Sequence, residues 1–181
     1  MILTPEEIIA EKKELDKDKA LYPPFLVEEF RKGREETRIE ERTGKSILYQ
    51  PTKITDFLSL LCCIWRISNK AYQEEFWGKQ GQWGDNYMET MEIFFGDSEA
   101  VLEANDAGRV SISPNQRKML QELCNRIDRF FADPETPESE YGENDKAMIN
   151  DPKWQKIGEY AKLVYEELSG DDLDAWEKQR K

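Results

Sequence analysis

The stretch Ser113–Phe131, SPNQRKMLQELCNRIDRFF, decides the fold class. Ser113 stands before Pro114, with Gln116 three positions on: a capping hydroxyl, a proline at the first helical position and the reciprocal partner of a capping box. Met119, Leu120, Leu123, Cys124, Ile127, Phe130 and Phe131 then recur at three- and four-residue spacing, which puts them on one stripe of a helix. Such a stripe needs other elements to cover it.

The same pattern recurs on both sides. Asp151 and Pro152 open a helix with Trp154, Ile157, Tyr160, Ala161, Val164 and Leu168 on one face and Gly170 at its end, and Leu173 with Trp176 anchors a last short turn. Upstream, Ile54, Phe57, Leu58, Leu61, Ile64, Trp65, Tyr72, Phe76 and Trp77 predict a central helix, broken near Ser68 and Asn69. Asp85 caps a further helix carrying Tyr87, Met88, Met91, Phe94 and Phe95, which Gly96 closes before a short helix capped by Asp97 or Ser98. Thr4, Pro5 and Glu7 form a second capping box; Pro23 and Pro24 stop that helix and start another, whose charged half from Arg31 to Arg42 reads as solvated. Asn105–Ser113, through Val110 and Ile112, is the only stretch that alternates like extended chain. The expectation is an all-α, single-domain helical bundle of about six to eight helices with little or no sheet. It covers residues 1–181, with 1–45 a charged peripheral helical segment and 133–151 an acidic exposed loop.

Charge narrows the function. Asp and Glu number 38 against 26 Lys and Arg, and with no His the net charge of −12 is constant across neutral pH. Such a field repels phosphate backbones and anionic lipid, and steers positively charged proteins inward. The longest uncharged apolar run, Phe57–Trp65, has nine residues where a membrane span needs about 20. Cys62 and Cys63 are neighbours and Cys124 stands alone, which is no disulfide framework. The expected location is the cytoplasm.

Catalysis lacks its usual equipment. Without His the commonest general base and zinc ligand are missing, and the three thiols fall on or beside apolar stripes where packing is their ordinary role. Phosphate-loop, dinucleotide, EF-hand and nucleophile-elbow motifs are absent. Glu74 with Glu75, Glu89 with Glu92, or Asp97 with Glu99 could be proposed as metal or acid–base pairs, but 38 acidic residues produce such pairs by chance. The reading is therefore no catalytic residues, no cofactor and no metal, with a protein as partner and no direct nucleic acid or membrane contact. Alternatives are an adaptor or assembly subunit, a DNA mimic, and a cryptic carboxylate-metal enzyme.

Two stretches are candidates for binding a partner. Glu138, Glu140, Tyr141, Glu143 and Asp145 combine dense negative charge with Pro and Gly turns and one aromatic ring; Trp83 and Asp85 lie in a glycine-rich turn where a ring is hard to bury. In size, charge and the character of the segment IWRISNKAYQEEFWGKQGQWGDNYMETMEIFF, residues 64–95, the chain resembles immunity proteins of bacterial toxin systems such as contact-dependent inhibition. The resemblance implies a cofactor-free antitoxin that neutralises a cognate toxin, often a basic nuclease domain, by direct binding.

Overall fold

The capping residues set where helices begin. Ser113 Oγ accepts from the Gln116 N–H at 3.1 Å and Gln116 Oε1 from the Ser113 N–H at 3.0 Å, and Thr4 with Glu7 forms the same reciprocal pair. The computed structural model describes residues 3–46, 50–77, 86–136 and 145–180, and these are all-α: nine α-helices, eight of seven residues or longer, with no strand. Asn105–Ser113, the one stretch that reads as extended chain or a turn, ends a helix at Asp106 and then turns. Gly108 sits at φ 68°, where a side chain would be strained, and the Asn105 amide donates to the Val110 carbonyl at 2.9 Å. Ser111 makes a single bridge to Lys53.

The chain divides into two compact units, residues 1–50 with 171–181, and residues 51–170. The smaller contains α1 (Pro5–Leu21), α2 (Pro24–Thr43) and α9 (Leu173–Gln179). Pro23 offers α2 no side-chain cap, and the carboxylate of Asp171 supplies one instead, accepting from the Phe25 N–H at 3.1 Å. Arg180 donates to the carbonyl of Ala20 and lies 4.4 Å from the Trp176 ring centroid, tying the chain's end to α1.

In this unit α1 contributes no buried residue. Its isoleucines, Ile8 and Ile9, face solvent, while Glu7, Glu11 and Asp18 meet α2. Arg34 bonds Asp18 at 2.7 Å and Glu11 at 3.2 Å, Arg38 bonds Glu11 at 2.5 Å, and Arg42 bonds Glu7. The charged half of α2, read from sequence as solvated, is thus one side of an ion-paired seam; the Arg38 side chain retains 20% of its exposure. Charge alternation along one helix looks self-cancelling until a partner helix with complementary spacing is placed against it.

The larger unit is built around α3 (Leu58–Ser68), seven of whose eleven residues are buried. It packs against α5 (Tyr87–Asp106) and α8 (Pro152–Ser169), with α6 (Pro114–Ala132) covering α8. Asn69 ends α3 and caps α4 (Lys70–Phe76) by accepting from the Tyr72 N–H at 3.0 Å, so the break at that point is real. Gly158 of α8 has the Ile67 carbonyl 3.2 Å from where a Cβ would stand, which lets the two helices approach closely.

Two expectations are corrected here. Gly96 does not close a helix: α5 runs unbroken to Asp106, capped by Asn86, because one glycine within twenty helical residues costs less than an extra pair of ends. The acidic stretch 133–151 is not loop throughout, since α7 (Asp145–Ile149) buries Asp145, Met148 and Ile149.

Candidate functional site

Of the residues proposed for partner binding, Glu138, Glu140, Tyr141, Glu143, Trp83 and Asp85 lie outside the described residues. Asp145, expected at the surface, is 1% exposed and offers no surface carboxylate. Five helical residues are too few to show a period, and the acidic, turn-rich run before them hid the change to buried chain. Burial, and secondarily the charge of Asp145, push the phenol of Tyr87 well above its usual range.

Rings that flank the two candidate stretches in sequence meet in one aromatic cluster. Trp77 and Tyr87, which bracket the first, have ring centroids 5.9 Å apart. Phe131, ahead of the second, is 5.5 Å from Tyr87, and Trp154 lies within 6.3 Å of all three rings. The rings meet at tilted and edge-on angles, as aromatic quadrupoles prefer. The indole N–H of Trp77 is buried and has no acceptor among the described residues. At this end Phe131 remains 39% and Met88 44% exposed.

From here α5 carries an unbalanced charge. It holds six carboxylates, Glu89, Glu92, Asp97, Glu99, Glu103 and Asp106, and no Lys or Arg. Asp97 accepts from the Ser59 hydroxyl and Asp106 pairs with Arg117 at 3.0 Å. Glu89, Glu92, Glu99 and Glu103 are exposed and have no ion-pair partner among the described residues. At 3.6 residues per turn these four fall within an arc of about 80°. Glu103 also stands in the last turn, where the helix dipole disfavours an anion. Beside them, Tyr87, Met88, Met91, Glu92 and Phe95 line a groove of about 350 Å³.

The cations of this unit are differently placed. Arg126 and Arg129 share Glu122, and Lys153 is held by Asp133 at 2.6 Å and Glu135 at 3.5 Å. These cations line a groove between α6 and α8 together with Lys156, so that four cations there face the three carboxylates Glu122, Asp133 and Glu135, whereas the four carboxylates of the α5 face have no cation against them among the described residues. Sequence reasoning missed the α5 face because Gly96 appeared to split the helix, and only a continuous helix aligns Glu89 and Glu92 with Glu99 and Glu103.

The thiols of Cys62, Cys63 and Cys124 are buried and form no disulfide, and burial raises Cys124 above its ordinary range, which suits packing rather than attack. Among the described residues no group of three or more acidic or thiol side chains is arranged to hold a metal, and no helix is long and apolar enough to cross a membrane. No protein-family model matches the chain, and neither curated proteins nor solved structures yield a match.

Proposed function

We propose that this protein acts by binding a positively charged protein through the α5 face and the aromatic end of its larger unit. Within that reading, it is a bacterial immunity protein that blocks a cognate toxin, a basic nuclease domain, in the cytoplasm. One observation carries the proposal: four exposed carboxylates with no ion-pair partner among the described residues are aligned on a helix without a single cation, next to exposed Met88 and Phe131. Aligned charge accelerates encounter with an oppositely charged partner, and apolar anchors at its end slow departure. A nuclease must present a positive cleft to its substrate, and a carboxylate row competes for that cleft. Glu138, Glu140, Tyr141, Glu143, Trp83 and Asp85 are proposed to take part in binding through their charge and aromatic rings; Asp145, being buried, is not.

The test is expression of the protein encoded directly upstream of this gene, alone and together with this chain. Growth arrest by the upstream product, relieved by co-expression and accompanied by a stable complex, is the expected result. An upstream product that is harmless, or whose toxicity persists without complex formation, overturns the immunity reading.

A further inference from the structure

We infer that the groove at the start of α5 receives an apolar side chain from a basic amphipathic helix of the partner, and that this helix lies along the Glu92–Glu99–Glu103 ridge. The inference rests on the binding role proposed above and specifies the chemistry of the contact.

The lining of the groove is apolar apart from Glu92 and the phenol of Tyr87, and two of its residues, Met88 and Met91, are flexible thioethers that adapt to the shape of an inserted side chain. Met88 and the half-buried Phe95 have apolar surface to lose on docking. Beyond the groove, Glu92 and Glu99 are separated by two turns, about 10 Å, and Glu99 and Glu103 by one, about 6 Å, at 1.5 Å per residue. Lys or Arg residues seven and four positions apart on a second helix repeat that spacing, with one apolar residue a turn ahead of them to enter the groove.

Gly96 supplies an independent indication. It lies mid-helix on the same exposed ridge, with nothing within 4 Å of the place its Cβ would occupy. A glycine there weakens the helix relative to alanine, and no neighbour among the described residues requires it. Against a partner it opens a notch between Phe95 and Glu99 through which another backbone can approach. A helix is also the shape that fits: the backbone groups of α5 are used within the helix, so an extended strand would find nothing to pair with. Phosphate backbones and anionic lipid are repelled by the same ridge.

The experiment titrates the full chain with a labelled synthetic helix carrying Lys at the matching spacing and one Leu ahead of them. Replacing that Leu by Ala should weaken binding roughly tenfold, as loss of a buried anchor does. Gly96→Leu should do at least as much by filling the notch, and E92Q/E99Q/E103Q should cost about tenfold. E75Q/E159Q/E167Q, which removes the same charge from exposed sites on other helices of the same unit, should change affinity by less than about twofold.

If the control triple weakens binding as much as the ridge triple, or the Ala-substituted peptide binds as well as its parent, general acidity explains the binding and the inference fails. If Gly96→Leu also protects fully against the upstream toxin, the inference fails while the immunity reading stands with its contact elsewhere. A wild-type chain that neither protects nor binds the upstream product sinks the immunity reading itself.

Discussion

The indole N–H of Trp154 donates to Oε1 of Gln73 at 3.0 Å across 81 residues of chain, in the interior of the larger unit. The amide of the same Gln73 donates to the carbonyls of Arg66, at 2.8 Å, and Ile67, at 2.7 Å, which closes the C-terminal end of α3. One buried side chain thereby satisfies a donor on α8 and two helix-end acceptors on α3. Gln73→Leu keeps the volume but strands the Trp154 N–H and the Ile67 carbonyl, at roughly 1–3 kcal/mol for each that water cannot reach, while the Arg66 carbonyl keeps the Asn69 N–H at 3.3 Å. Urea titration should show a lower midpoint with an unchanged slope. An unchanged midpoint would mean that the hydrogen bonds contribute nothing net.

The same substitution at two glycines should have opposite effects. Gly96→Ala, with open space around it, should stabilise by about 0.5–1 kcal/mol through helix propensity. Gly158→Ala gains the same propensity but pushes a methyl against the Ile67 backbone carbonyl at 3.2 Å, and parting α3 from α8 costs about 1–3 kcal/mol. A rise in melting temperature for the first and a fall for the second is the expected pair of results.

Much of the larger unit was legible because its apolar periodicity and its burial coincide. Leu120, Leu123, Ile127 and Phe130 of the Ser113–Phe131 stripe are all buried, as are Trp154, Ile157, Ala161, Val164 and Leu168 of the next. Leu123→Ala should accordingly cost roughly 2–5 kcal/mol, measured by chemical denaturation, whereas an exposed stripe would leave stability unchanged. What the pattern does not reveal is the partner of a charged face. Ile8 and Ile9 of α1 face solvent, whereas Glu7, Glu11 and Asp18 face inward, because Arg34, Arg38 and Arg42 stand opposite. Asp145 was placed outside for the same reason: an acidic residue after an acidic run says nothing about the ring of Tyr87 that it approaches.

The seam between α1 and α2 should open in acid before the larger unit does. The hydrogen bond from Arg42, reinforced by Thr4, holds Glu7 down to about 2. Burial alone would raise Glu11, but hydrogen bonds from Arg38 and Arg34 outweigh it and leave it lowered. Both groups have folded values below their unfolded ones. Their contribution is complete above about pH 5 and is lost as pH falls through the folded values. Pepsin at about pH 3 and high salt should cut first within α1, with α3 spared, since exposed ion pairs are also screened. Simultaneous cleavage of both would show that the seam carries no separate stability.

The central claim is that the α5 carboxylates draw in a cationic partner. Its most direct test is the association rate constant of this chain with the upstream-encoded protein, measured across a range of ionic strength for the wild type and for E89Q/E92Q/E99Q/E103Q. The account predicts that the variant keeps its fold but associates at least about tenfold more slowly at low salt, with most of the salt dependence gone. An association rate and a salt dependence that both match the wild type would contradict it.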